Sequence, residues 1–471
     1  MSDKNLKISV NGNFFRIEGD IKIFEELYLR QQCAWCDALD FTNIEYYYYN
    51  RDGYTSFLEI VGDILHTKFG YQIEVEWNDN LSPKDFEANI NVNYRPLQEE
   101  AIDAVVDGRF GMLEAPPGFG KTICIASMVA KIGKRALILT EDTKPYLDMI
   151  KSLETVTDIP EIGKLAGDDE KLEDVTVCLI QKVASMVKKK SKKFLEYLST
   201  IKVIIVDECH HAVASSYADI IAEIFDTTEY RIGVSATPLL REDGTQNRIL
   251  GLLGPVLYTV TYAQAIDLGI CTPCTFMYEV FNYDTEFKKS GKSLTNYNSI
   301  VKACITNNDA RNELYAKRAK EFIQKGISCA IIVDKHNHAY ALQKLIPNSK
   351  VVLGPDPKSP EEREELWRQL QNQEIMCVIS TLLDEAANIP SLGAVLIASN
   401  QKTQIRTIQR MRSTRVFEGE TAQGFVKKER GYVYTTIDMA PYLDEHSKRK
   451  VSILKDYLSG HEANEVIEVV G

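Results

Sequence analysis

Short apolar runs alternate with stretches of helical periodicity through most of this chain. The first set of runs is Arg109 to Glu114, Arg135 to Thr140, Val175 to Gln181, Lys202 to Glu208 and Tyr230 to Ala236. Runs without regular polar interruption are expected of strands covered on both faces, and helical segments between them predict a parallel sheet wrapped by helices. The pattern then recurs over Ser328 to Val333, Ser349 to Leu353, Ile375 to Thr381, Ala394 to Ser399 and Gly431 to Ile437. Two α/β domains in tandem are therefore predicted, with a ligand expected in the cleft between them at the carboxyl ends of the strands.

Upstream of these sets the pattern changes. From Lys7 to about Glu87 it is mixed, with a strand-like Ile8-Ser9-Val10, a tyrosine run at Tyr46 to Tyr49 and an amphipathic helix predicted from Thr55 to Lys68, stopped by Gly70. Asn78 to Asn91, rich in Asn and Asp with Ser82 and Pro83, reads as a boundary. The expected organisation is α/β in class: a small α+β N-terminal domain at residues 1–88, a first α/β domain at 89–262 and a second at 263–471.

Composition narrows the class without naming the chemistry. A chain of 471 residues with 44% hydrophobic and 26% charged residues is ordinary for a globular protein, which excludes a fibrous or largely disordered chain. No apolar stretch reaches the roughly 18 residues of a membrane span, and the polar start lacks a leader-like apolar segment, so a cytoplasmic location is expected. A net charge of −12 argues against coating nucleic acid by bulk electrostatics and leaves room for a local basic channel. Most of the 10 cysteines lie in apolar segments as expected of reduced core thiols; Cys33/Cys36 and Cys271/Cys274 are too far apart in sequence to suggest one zinc site.

Chemistry enters at Ala115-Pro116-Pro117-Gly118-Phe119-Gly120-Lys121-Thr122, between a predicted strand and a helix expected to run to Ile132 and stop at Gly133. Glycines let backbone N–H groups curl around phosphates, the helix start adds positive potential, Lys121 can reach the β- and γ-phosphates and Thr122 can hold Mg²⁺. Ala115 stands where the usual pattern begins with glycine. The strand Val203 to Val206 ends in Asp207-Glu208-Cys209-His210. In-line phosphoryl transfer needs a metal-binding carboxylate and a positioned nucleophile, roles that suit Asp207 and Glu208. ATP and Mg²⁺ are the expected cofactors.

With these two motifs in order, the chain resembles the superfamily 2 helicases and translocases over about residues 92 to 440. The resemblance implies two tandem RecA-like parallel-sheet domains. It also implies that Gln98, supported by Arg95 in Tyr94-Arg95-Pro96-Leu97-Gln98, contacts adenine, and that Ser235-Ala236-Thr237 links nucleotide state to nucleic-acid grip, with His210 and His211 in the same coupling role rather than as metal ligands. Ser380-Thr381 with Glu385 to Pro390 resembles the family's motif V, although Ala386 and Asn388 replace its usual Gly and Asp. Gln409 to Arg415 resembles motif VI, one residue short, which makes Arg412 and Arg415 the candidate fingers for the γ-phosphate, with Arg410 in reserve. Asn308 to Asn312 and Ala330 to His336 resemble the branch that includes XPB and the phage UvsW helicase.

The expected function is an ATP-driven DNA helicase or translocase acting on forks, Holliday junctions, D-loops or R-loops in recombination, replication or repair. Its expected partner is DNA, branched or duplex with single-stranded regions, with no membrane or obligatory protein partner, in a bacterial or phage-infected cytoplasm. An RNA helicase, the translocase subunit of a restriction-type complex and a non-catalytic binding module are the alternatives. Lys188 to Lys193 and Lys448 to Lys450 read either as phosphate contacts or as solvated faces, and Tyr46 to Tyr49 either as a base-stacking surface or as buried strand residues.

Overall fold

A computed structural model describes residues 5–11, 14–18, 52–54, 62, 66–67, 70–77, 81–225, 227–240, 246–283, 297–354, 360–382, 389–399 and 414–470. The chain divides into two compact units, one of residues 1–116 and 120–260, the other of 117–119 and 261–471. Tyr46 to Tyr49, Cys33, Cys36, Glu385 to Asn388, Gln409, Arg410 and Arg412 lie outside the described residues, as does most of the helix predicted from Thr55 to Lys68.

The first unit opens with a four-stranded sheet of order β3-β2-β1-β4, made by β1 (Asn5–Asn11), β2 (Phe14–Glu18), β3 (Asp52–Tyr54) and β4 (Gln72–Trp77). Alternation along β1 and β2 buries Leu6, Ile8, Val10, Phe15 and Ile17. These five join one contiguous apolar cluster with Leu137, Leu139, Ile204, Phe194 and Leu198 of the α/β layer that follows. The small sheet therefore shares its core with the next domain.

The segment after it, read from composition as a boundary, is laced down by polar side chains. Ser82 Oγ donates to Glu229 Oε1 at 2.6 Å, and the buried Lys134 ammonium reaches Ser82 and Glu229, the latter at 3.0 Å. The amides of Asp85 and Phe86 both donate to Gly133 O, and Asn89 pairs with Asp158. We call residues 81–91 the strap.

The main sheet of this unit contains β5 (Phe110–Glu114), β6 (Ala136–Thr140), β7 (Ile162–Ala166), β8 (Asp169–Lys171), β9 (Val175–Leu179), β10 (Val203–Asp207), β11 (Tyr230–Ser235) and β12 (Val256–Thr259). Its order is β12-β5-β11-β10-β6-β9-β7-β8, parallel except for the β7–β8 hairpin. Helix α1 (Gln98–Gly108) precedes β5, α2 (Lys121–Ile132) follows it, and α3 (Thr143–Val156) follows β6. The predicted stop of α2 is present: Gly133 takes φ 67° and its amide bonds to Val129 O. Each fully buried Ile or Val of β10 contributes about 1.5–3 kcal/mol of hydrophobic stabilisation, so the strand that ends in the two carboxylates is firmly held.

The second unit carries a seven-stranded sheet of order β15-β16-β14-β17-β20-β13-β21. Its strands are β13 (Cys274–Asn282), β14 (Cys329–Ile332), β15 (Lys350–Val352), β16 (Cys377–Ser380), β17 (Ala394–Ile397), β20 (Gly431–Met439) and β21 (Glu465–Glu468), all parallel; the hairpin β18 (Glu418–Thr421) and β19 (Gly424–Lys427) stands apart. Two parallel-sheet α/β layers of this kind are the predicted RecA-like pair.

A buried ion pair organises the strand ends here. In α4 (Asp309–Gln324), capped by Asn308, Arg311 makes a two-pronged contact with Asp438 at 2.8 and 3.1 Å, both side chains fully buried. Arg311 also donates to Ala398 O, Tyr315 to Ile397 O and Lys450 to Ser399 O, so three successive carbonyls from the last residue of β17 onward are held by buried side chains. Lys450 is thus a core lysine, whereas Lys448 and Arg449 are exposed, as are the lysines at 188–190, 192 and 193.

Candidate active site

The register of the first sheet sets three strand ends side by side. Asp207 pairs with Val234 and Ser235 with Glu114, so β10, β11 and β5 finish level with one another where the glycine-containing loop begins. In that loop Gly118 and Gly120 take φ 92° and 96°, conformations that suit glycine. A Cβ on Gly120 would lie 2.5 Å from Gln98 Nε2. Glycine therefore brings the loop against Gln98, a buried side chain whose Oε1 accepts from the Arg95 amide at 2.8 Å. The Arg95 side chain is exposed.

Lys121 opens α2. Its ammonium donates to Ala115 O at 3.3 Å and lies 3.9 Å from Glu208 Oε1. Glu208 itself has φ 47°, an uncommon conformation for a residue with a side chain, of the kind found where a structure holds a group against local preference. A short 3₁₀ turn, Cys209–His211, follows. The Glu208 amide donates to Asp207 Oδ1 at 3.0 Å.

Glu208 is then tied to β11. Ser235 Oγ donates to Glu208 Oε2 at 3.2 Å, accepts from the Thr237 amide at 3.2 Å and lies 2.9 Å from His210 Nδ1. A hydroxyl that gives its single proton to Glu208 must receive one from His210, which puts the imidazole proton on Nδ1. All of the Ser235 hydroxyl's hydrogen-bonding capacity is used.

The electrostatics separate the two carboxylates. Burial, and next the charge of Glu208, push the Asp207 carboxyl above the usual range. Burial also opposes ionisation of Glu208, but Lys121, His210 and Ser235 outweigh it and hold that carboxyl below the usual range. Burial lowers His210 against the pull of Glu208, which keeps the ring neutral near pH 7. The outcome is one firmly ionised carboxylate beside one that would gain most from a cation.

These residues fit a nucleotide and its magnesium ion. Lys121 offers a cation to phosphate oxygens, and Thr122 and Asp207 carry the kind of hard oxygen that could ligate Mg²⁺. Pro117 is partly exposed and Phe119 is buried.

The second-unit candidates are placed separately. Ser380 ends β16, and its hydroxyl accepts from the Leu382 amide at 2.8 Å; Thr381 Oγ1 accepts from Gly354 N at 3.2 Å. Arg415 forms a bridge with Cys271, while Thr414 O accepts from both the amide and the hydroxyl of Thr272. Cys271 and Cys274 are buried thiols, the latter pushed up to about 12 by burial. Among the described residues no cluster of His, Cys, Asp and Glu is arranged to hold a metal, and no helix is long and apolar enough to cross a membrane.

One contact had no motif to announce it. His211 Nε2 lies 2.9 Å from Glu141 Oε2, just beyond the end of β6. The available signal was the run Ala136 to Thr140 ending in Glu141-Asp142, which repeats the pattern of an apolar strand closed by two acids.

Comparison with known proteins agrees with this arrangement. Residues 91–240 match the family described as Type III restriction enzyme, res subunit. A protein named as helicase 22 in Sulfolobus islandicus filamentous virus is 22% identical over 81% of this chain and 69% of its own length. A DNA 3'-5' helicase XPB of Kineococcus radiotolerans is 30% identical over 38% of this chain, which spans only 32% of that protein. In fold, a fragment ascribed to the HsdR subunit of a type I restriction enzyme from Vibrio vulnificus superposes with TM-score 0.57 at 17% identity, over 81% of this chain and 70% of that one. The chain is thus similar to the superfamily 2 helicases, and its sequence relatives include DNA helicases of the XPB type.

Proposed function

We propose that this protein couples ATP hydrolysis to the unwinding or branch migration of branched DNA, such as forks, Holliday junctions, D-loops and R-loops, in recombination, replication or repair. The observation that carries the ATPase part is the unbroken chain of contacts from Lys121 through Glu208 to Ser235 and His210. Lys121 and the loop Pro117 to Gly120 would bind the phosphates, Gln98 and Arg95 the base, and Thr122 with Asp207 the magnesium ion, which supplies charge neutralisation. Glu208, ionised and oriented by Ser235, is suited to accept a proton from the attacking water. Arg412 and Arg415 are assigned to the charge that develops on the γ-phosphate, and Ser380, Thr381 and Gln409 to coupling. Residues 1–88 are assigned to substrate recognition. DNA as the partner is supported by the names of the relatives.

The test is ATP turnover and strand displacement on matched DNA forks, Holliday junctions and RNA duplexes. Lys121→Ala and Glu208→Gln should each lower DNA-stimulated turnover by roughly 10²–10⁴-fold. Unchanged turnover in both would refute the assignment, and preferential unwinding of RNA would replace DNA with RNA. Translocation without strand separation would favour the restriction-type motor that the family match and the HsdR-like fold bring to mind.

A further inference from the structure

The run Lys188-Lys189-Lys190-Ser191-Lys192-Lys193 belongs to none of the motifs around the nucleotide loop. It joins two helices of the first unit, Ile180–Lys188 and Lys192–Leu198. Val187 and Phe194 on either side are buried, whereas all five lysines are exposed. The turn is closed by its own backbone: the amides of Lys189, Lys190 and Ser191 donate to the carbonyls of Ser185, Val187 and Met186 at 3.0, 2.9 and 3.4 Å. Five ammonium groups are therefore presented from a turn that is held in place.

Three of these lysines stand where another residue would serve the fold better. Lys190 takes φ 51°, the left-handed position after a helix at which glycine is usual. Lys192 and Lys193 open their helix, the end where the peptide dipoles favour acids and oppose cations. Lys188, in the last turn of the preceding helix, does complement its dipole. Residues kept against local preference point to a demand other than folding. Neighbouring carboxylates do not account for it. Lys192 lies 3.9 Å from Glu196 with both side chains largely exposed, and Glu170 is taken by Lys182 at 2.6 Å; among the described residues no other ion pair reaches the five. On a chain of net charge −12, such a cluster makes a local field opposite in sign to that of the whole molecule, and so holds a polyanion that the rest repels.

The charges of Lys189 and Lys193 both reach Glu170 of β8, which sets the turn beside the β7–β8 hairpin at one edge of the first sheet. In that sheet β5, which leads into the glycine-containing loop, is six strand positions from β8, or roughly 28 Å. We infer that Lys188 to Lys193 is a docking surface for the phosphates of duplex DNA, separate from the nucleotide loop. Ammonium groups on flexible stems meet phosphates as point charges in any register, and the run has no arginine fork with which to read a base. It also has no aromatic ring on which a single strand would stack, which favours a duplex. The inference deepens the proposed DNA-directed reading and rests on it.

The experiment measures binding of the full-length chain to a fluorescent DNA duplex of about 30 base pairs by anisotropy, from about 50 to 200 mM NaCl. The combined variant Lys188→Gln, Lys189→Gln, Lys190→Gln is compared with one that removes three exposed lysines elsewhere, Lys317→Gln, Lys320→Gln, Lys325→Gln. In the first the slope of log affinity against log salt should flatten by about 2–3, with affinity down about ten-fold or more; the second should stay within about one of the parent slope. Lys190→Gly, and Lys192→Glu combined with Lys193→Glu, should each melt above the parent yet bind the duplex more weakly, a split that a merely structural turn would not produce. A parent that binds DNA and a first variant with an unchanged slope would overturn the inference and leave the helicase reading intact. An equal loss in the comparison variant would reduce the effect to overall charge and overturn it as well, as would a loss seen only with an RNA duplex of the same sequence. A parent protein without salt-dependent binding to DNA would instead sink the underlying reading, and this inference with it.

Discussion

His338 offers a prediction whose size follows from the structure. The ring is buried in the second unit, where its Nε2 donates to Asn312 Oδ1 at 2.9 Å. Burial, and next the Arg311 guanidinium, lower its pKa to about 3. In the unfolded chain a histidine titrates near 6.5, so between those values the unfolded state binds a proton that the folded state refuses. The stability contributed by the neutral ring is therefore complete above pH 6.5 and is lost as pH falls toward 3. At about 1.36 kcal/mol per pH interval, lowering the pH from 7 to 5 costs the fold about 2 kcal/mol through this residue alone. Native-state hydrogen exchange of the β14 amides at pH 7 and 5 measures it, in the parent protein and in His338→Gln, which keeps an amide donor for Asn312. The parent should lose about 2 kcal/mol more than the variant over that interval. Equal losses would show that the buried ring does not resist protonation, and the account of this core would be wrong.

Two further outcomes follow from geometry. Gly120→Ala forces a side chain into φ 96° and toward Gln98 Nε2; a cost of about 1–2 kcal/mol should weaken binding of a nonhydrolysable ATP analogue roughly 5- to 30-fold by calorimetry, and undiminished affinity would refute the cradle. Lys134→Met removes the cation that holds Ser82 and leaves Glu229 poorly compensated; a loss of about 3–5 kcal/mol in urea unfolding is expected, with faster exchange at the Asp85 and Phe86 amides, and an unchanged midpoint would contradict the strap.

The sheets were legible wherever strands are covered on both faces. Val203 to Val206 has no polar residue to blur it, and its observed ends fall within one residue of the apolar run. By contrast β13 passed unnoticed, because it carries Thr275 and Glu279 inward. Its Glu279 is kept in the core by Arg318 and Tyr434, partners that no local pattern reveals. The strap shows the same limit: Ser82 and Asn89 look like linker residues until Glu229 and Asp158, far along the chain, satisfy them. The site was legible to the extent that its chemistry is local. A lysine after glycines and two acids after a strand are short-range signals, whereas the Ser235 bridge to Glu208 spans 27 residues and the His211 contact with Glu141 has no short motif at all.

The shared interior of the small N-terminal sheet and the layer that follows it limits what dissection can teach. Cutting at residue 88 would remove Leu6, Ile8, Val10, Phe15 and Ile17 from the apolar cluster that also holds Phe194 and Leu198 and sever part of the strap in the same stroke. A shortened protein would report damaged folding before it reported anything about substrate choice. Surface exchanges on the exposed side of that sheet, for instance at Arg16 or Glu74, leave the interior whole and are the cleaner instrument.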